Sequence, residues 1–122
     1  MKFASIRLAT RQFEDLVRFY QALSTIEPTR LAEGFAEIRF DGATLAISDE
    51  YLIRLHNNGL AVAASNRSAI LEFEVDDVAA VLSRIDGSAV AMPVTVMPWG
   101  NTSLILRDPD GNLVNVFSKP SR

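Results

Sequence analysis

Residues 3 to 9, Phe-Ala-Ser-Ile-Arg-Leu-Ala, alternate apolar and polar positions as a half-buried strand does. Thr10 then stands where a helix N-cap would stand. Phe13, Leu16, Val17, Tyr20 and Leu23 recur at three- and four-residue spacing, with Arg11, Glu14, Arg18 and Gln21 on the other side. That pattern predicts an amphipathic helix covering one face of a sheet. Beyond Glu27-Pro28 come three extended segments, near 29 to 33, 35 to 41 and 43 to 49, separated by Gly34 and by the hairpin signal Asp41-Gly42.

The same order then begins again. Ala69 to Val75 is rich in strand formers, Asp76 or Asp77 is placed to cap, and Val78, Val81, Leu82 and Ile85 form a second apolar stripe that stops before Gly87. Strands are expected near 94 to 98, 102 to 107 and 113 to 118. Asp108-Pro109-Asp110-Gly111 joins the last two, with Pro at the second turn position and Gly free to take a positive φ. Tyr51 to Asn66 has no clean period and reads as a crossing loop with room for a short helix. A strand, a helix and three strands, repeated, predict an α+β fold of eight strands and two main helices. The expected organisation is one domain over 1-122, with a first module of about 1-50, a crossing loop over 51-66 and a second module of about 67-122.

Composition narrows the chemistry. At 122 residues and 48% hydrophobic, the chain suits one domain with a proper core. The absence of cysteine removes disulfides, thiolate metal sites and thiol nucleophiles. A formal charge of −3, from 15 acidic and 12 basic residues without a basic block, offers nothing to a phosphate backbone. Neither a signal-peptide pattern nor an apolar run of about 20 residues is present, so a soluble cytoplasmic protein is expected, with no nucleic-acid or membrane partner. The single histidine, His56, lies in the crossing loop and reads as a loop residue rather than a catalytic base.

Three stretches carry a resemblance that covers nearly the whole chain. They are Phe19-Tyr20 near the end of the first helix; Glu72-Phe73-Glu74-Val75-Asp76-Asp77-Val78 leading into the second; and Trp99-Gly100 followed by Arg107-Asp108-Pro109-Asp110-Gly111-Asn112-Leu113-Val114. In this order, on a repeated topology, they resemble the vicinal oxygen chelate superfamily of glyoxalase I, bleomycin-resistance proteins and extradiol dioxygenases. The resemblance implies two tandem βαβββ modules, each curling its sheet into part of a cup or half-barrel with helices outside and a ligand pocket inside. It also implies four metal-ligand positions, which fall here on Ser5, Ala46, Ile70 and Asn115. None carries the expected His, Gln or Glu. Divalent metals need carboxylate oxygen or imidazole nitrogen at close range, so no metal, no cofactor and no catalytic residue is expected.

Strand parity assigns side chains to faces. The positions sharing Ser5's direction are Arg7, Phe35, Glu37, Arg39, Ala46, Ser48, Ile70, Glu72, Ile105, Arg107, Asn115 and Phe117. The opposite set, Ile6, Leu8, Ile38, Phe40, Leu45, Ile47, Leu71, Phe73, Val75, Leu104, Leu106, Val114 and Val116, is apolar throughout and is the predicted core. The first set fits a small-molecule site with a few orienting polar groups. It fits equally a solvated sheet face whose Arg and Glu pair across strands. As a site, it would use Arg39 and Arg107 on a carboxylate, with Trp99 and Phe117 stacking on a ring; Trp99 has the alternative of filling a loop core.

Three functions follow. The first is a metal-free binding protein resembling the bleomycin-resistance, antibiotic-resistance-like branch, which sequesters an aromatic or amphipathic ligand in the pocket of a homodimer. The second is an enzyme of the lyase, isomerase or ring-cleaving kind, with unconventional metal ligands or with Glu37 or Glu72 as a metal-independent base. The third is a structural or regulatory dimer with a filled pocket. Nothing in the sequence identifies the ligand.

Overall fold

The computed structural model describes residues 1–121. The chain divides into two units, one from Met1 to Ser65 and one from Asn66 onwards. Each holds an open, mixed four-stranded sheet.

In the first unit the elements are β1 (Ser5–Thr10), α1 (Phe13–Ser24), β2 (Thr29–Ala32), β3 (Phe35–Phe40), β4 (Ala43–Asp49) and α2 (Glu50–His56). The sheet order is β1-β4-β3-β2, with β1 parallel to β4 and the other pairs antiparallel. The predicted stripe of α1 is buried throughout, and the helix lies against β4 and β3. Ala36, Ile38, Leu45 and Ile47 are buried on one sheet face and share that core. Thr10 is not the N-cap of α1. Gln12 holds that position without capping the helix through its side chain, and Thr10 Oγ1 accepts from the Gln12 N–H at 3.0 Å, so the hydroxyl caps the turn two residues ahead of the helix. Glu14 and Asp15 in the first turn complement the helix dipole.

The β2 to β3 connection depends on Gly34, whose φ is +78°. A Cβ there would stand 3.0 Å from the Cβ of Asp49, and the Gly34 carbonyl accepts from the Asp49 N–H at 2.8 Å. Only glycine permits that approach without strain. The register of β2 shifts between Arg30 and Ala32, leaving Leu31 without a cross-strand partner and exposed.

The segment 51-66, read as a crossing loop with room for a short helix, opens with one, α2, which begins at Glu50. Asp49 caps α2 by accepting from the Tyr51 N–H at 2.9 Å, and the helix contacts β4 and β1. Its short length and single buried aliphatic, Ile53, gave no period to read. Behind it, Glu50 is buried and holds the following loop: its carboxylate accepts from the Ala63 N–H at 2.7 Å, from Arg11 Nε at 2.9 Å and from Arg54 at 3.3 Å. The Ala63 N–H and the Arg11 guanidinium hold the Glu50 carboxyl below the usual glutamate range, against the opposing effect of burial.

The second unit contains β5 (Ile70–Glu74), α3 (Val78–Leu82), β6 (Val90–Val96), β7 (Thr102–Arg107) and β8 (Leu113–Ser118), with a short 3₁₀ turn at Gly87–Ala89. Its order, β5-β8-β7-β6, again has one parallel pair, β5 with β8. Asp77 caps α3, accepting from the Ala79 and Ala80 N–H groups. The helix buries Val78 and Val81 against β7 and β8 but ends before Ile85, shorter than its apolar stripe. Strand β6 starts four residues before the expected 94. Pro93 interrupts the alternation and the register shifts around it, which an edge strand tolerates.

The turn from β7 to β8 is built on Asp108, which is 4% exposed. Its Oδ1 accepts from the N–H groups of Asp110 and Asn112, both at 2.9 Å, and its Oδ2 from Asn112 Nδ2 at 2.8 Å. Gly111 takes φ +83° and donates to the Asp108 carbonyl at 2.9 Å. Asn112 Oδ1 in turn accepts from Asn66, which also bonds both backbone groups of Ala69, so this turn anchors the segment leading into β5.

Of the predicted core, Ile38, Leu45, Ile47, Leu71, Leu104, Leu106, Val114 and Val116 are buried, while Leu8, Phe40, Phe73 and Val75 are half-buried. Ile6 departs further, at 40% exposure, because it lies near the start of β1, an edge strand with β4 as its one neighbour.

Truncating Ile38 or Leu104 to Ala should each cost about 2–5 kcal/mol in denaturant unfolding, since both are fully buried. Glu50→Gln should lower the unfolding midpoint at neutral pH. Because the folded carboxyl titrates below its unfolded value, its stabilisation is present above the ordinary glutamate range and lost as pH falls through the depressed folded value. The difference between wild type and variant should therefore shrink across that acidic window in unfolding curves recorded from pH 7 downward.

Candidate functional site

Each sheet buries one face under a helix and leaves the other partly open. In the first unit, register places Ser5, Thr44 and Arg39 in one cross-strand row, and Arg7, Ala46 and Glu37 in the next. A third row holds Ala9, Ser48 and Phe35. In the second unit the corresponding rows are Ile70, Leu113 and Arg107; Glu72, Asn115 and Ile105; and Glu74, Phe117 and Ser103. Within each unit, the residues assigned by parity to the open face do lie on one face. Trp99 stands apart from both sets. It occupies the turn between β6 and β7 at 69% exposure and so fills no loop core. His56 is exposed at the end of α2.

The open faces also carry residues that the sequence reading passed over: Ala9, Thr44, Ser103, Glu74 and Leu113. Counting by two from Ala46 and Asn115 reaches Thr44, Leu113 and Phe117, so the signal was present in the alternation itself.

The two units share a further regularity. Ser5 pairs with Thr44, two residues before Ala46, and Ile70 pairs with Leu113, two residues before Asn115. The four positions singled out by resemblance thus occupy the same diagonal on both sheets. Their side chains do not fit a divalent metal. Ala46 and Ile70 have no donor atom, Ser5 offers a hydroxyl, and Asn115 a neutral amide. Among the described residues no group of three or more His, Asp or Glu is placed to hold an ion.

The charged groups on the open faces divide into committed and uncommitted sets. Glu37 Oε1 accepts from Arg39 at 2.9 and 3.3 Å, so Arg39, expected to meet a ligand carboxylate, is already engaged within its own sheet. Glu72 Oε2 accepts from Asn115 Nδ2 at 2.9 Å. Glu74 pairs with Lys119 at 3.5 Å. Arg7 and Arg107 make no ion pair or side-chain hydrogen bond with a described residue. The bond to Glu72 turns the other end of the Asn115 amide inward, where Oδ1 is buried without a hydrogen-bond partner. Glu37 with Arg39 is thus an Arg–Glu pair of the kind a solvated face would hold, but it forms along β3 rather than across strands, and it leaves Arg7 and Arg107 over.

The sequence profile of the Glyoxalase/Bleomycin resistance protein/Dioxygenase superfamily matches residues 2–116. The chain belongs to this superfamily. Among solved structures, it resembles a glyoxalase-related enzyme from Fulvimarina pelagi with a TM-score of 0.82 and 22% identity, covering 98% of this chain and 88% of the other. A protein of unknown function from Agrobacterium tumefaciens str. C58 gives 0.81 at 22% identity, over 98% and 94%. A glyoxalase/bleomycin resistance protein/dioxygenase from Nocardioides gives 0.76 at 22%, over 99% and 85%. At these identities the likeness is one of fold. No curated protein matches the chain. No helix among the described residues is long and apolar enough to cross a membrane.

Replacing Asn115 by Asp would set two carboxylates at the 2.9 Å contact with Glu72. Asn115→Asp should destabilise the protein by about 1–3 kcal/mol at pH 7. Because repulsion raises the folded carboxyl values, the penalty should disappear as pH falls below the ordinary carboxylate range. Asn115→Leu, which removes the buried unpaired oxygen, should be neutral or stabilising when both are compared by chemical unfolding at about pH 7 and about pH 3, below the ordinary carboxylate range.

Proposed function

We propose that this superfamily member is a metal-free small-molecule-binding protein, similar in mode to bleomycin-resistance proteins, which holds an aromatic or amphipathic ligand on its open sheet faces and acts as a homodimer. The observation that carries this reading is the composition of the diagonal positions. Where a catalytic relative would supply metal donors, this chain has a hydroxyl, a methyl, a butyl group and an amide. Around them lie half-buried apolar groups, Phe35, Ile105, Leu113 and Phe117, with a small number of polar groups. That mixture suits retention of an organic molecule by burial and a few orienting bonds.

The carboxylates considered for metal-independent catalysis support this reading more than the enzymatic one. Glu37 is bound to Arg39 and Glu72 to Asn115, so each already has a positioning role within its sheet. A general base needs to be free to receive the substrate's proton and to stand beside a second group that handles the developing charge.

Pairing of two chains is favoured by edge strand β6, where Val94 and Val96 are exposed. Exposed apolar edges tend to be covered by another strand or another copy.

A native mass spectrum of the untagged protein tests these statements together. The expected result is a dimer mass without stoichiometric metal, carrying a small organic adduct or accepting one. One metal ion per subunit would overturn the binding-protein reading in favour of an enzyme with unconventional ligands.

A further inference from the structure

The two units place chemically opposite residues at matching positions. On the first sheet, Ser5 and Thr44 are direct cross-strand neighbours, and Arg7 follows on the same face two residues along β1. Their hydroxyls and guanidinium have no side-chain hydrogen bond or ion pair with any described residue. Beside them Ala46 contributes only a methyl group, and Glu37 across it is drawn to Arg39. At the matching positions of the second sheet stand Ile70, Leu113 and Glu72, which offer two aliphatic groups and a carboxylate bonded to Asn115.

We infer that Ser5, Arg7 and Thr44 form an anion site on the open face of the first sheet, and that the molecule bound there carries a carboxylate or a phosphate monoester. This rests on the proposed binding function and names the chemical class of its ligand. The guanidinium presents a planar fork that matches two oxygens of one anionic group. The two adjacent hydroxyls, each able to donate, accommodate a remaining lone pair or a third oxygen. Ala46, Ala9 and Phe35 on the same face supply apolar contact for the organic part of the ligand. The second sheet cannot duplicate the site, because its only polar member at these positions is an acceptor.

The assignment differs from the one drawn from sequence in which arginine meets the anion. Arg39 lies in the same row as Ser5 and Thr44, but its guanidinium spends two donors on Glu37. Arg7, one row away, retains its full set.

The test is a titration of the isotopically labelled protein with benzoate, phenyl phosphate and the uncharged isostere benzamide, followed by amide chemical shifts. The neutral apolar probe N-phenyl-1-naphthylamine is titrated separately, with fluorescence as readout. Benzoate or phenyl phosphate should shift the amides of Ser5 to Arg7 and of Thr44, and should bind at least tenfold more tightly than benzamide. Arg7→Gln should weaken the anion about tenfold or more, as expected for loss of a charge-assisted bond, and Arg7→Lys should recover part of it. Arg18→Gln removes the same charge from an exposed pair with Asp15 on α1 and should change nothing. Which of the two anions binds more tightly separates the carboxylate source from the phosphate source. If benzamide binds as tightly as the anions, or if the naphthylamine binds while neither anion does, the anion site is overturned and the binding function stands. If none of the four molecules binds, both fall.

Discussion

A sheet covered by helix on one side only must sort its side chains by alternate position, and everything else in this protein depends on that constraint. The covered side has to be apolar, because each polar group placed there would be desolvated without a partner. Leu45 and Ile47 under α1, and Val114 and Val116 with Leu104 and Leu106 beside α3, satisfy it. The residues between them face away from that core; some, such as Ala46, are buried all the same, and the others are free to vary in chemistry. Arg7, Glu37, Glu72 and Asn115 are all such intervening residues. The same period that holds the fold together therefore defines where function can be written on it.

That division explains what was legible in the sequence. The stripe from Phe13 to Leu23 and the alternation of residues 43 to 49 each repeat a period several times, so helix, strand and face assignment could be read directly. Strand β6 was misplaced because Pro93 breaks its alternation and an edge strand has only one neighbour to enforce register. Room for helix α2 was legible but its bounds were not, because a two-turn helix with one buried aliphatic carries no repeat. Ile6 had the right parity but lacked the cover that parity assumes.

The site was legible by position and not by partnership. Parity named Arg7 and Arg39 alike, yet only coordinates reveal that Arg39 closes on Glu37 while Arg7 does not. Such pairing depends on rotamers two residues apart on one strand, a level of detail that alternation does not encode. The inward turn of the Asn115 amide is of the same kind. Resemblance to a family supplied the diagonal of four positions, and the repeated register offset on both sheets gives that diagonal a geometric basis within this chain.

The exposed turn at Trp99 has a spectroscopic consequence. It carries the chain's only indole, which stands in water in the native state. Emission from that ring should change little when the protein unfolds, since the ring passes from one aqueous setting to another. The same emission should shift to the blue when a molecule or a second chain covers the turn between β6 and β7. Tryptophan fluorescence in this protein therefore serves as a reporter of contact rather than of folding.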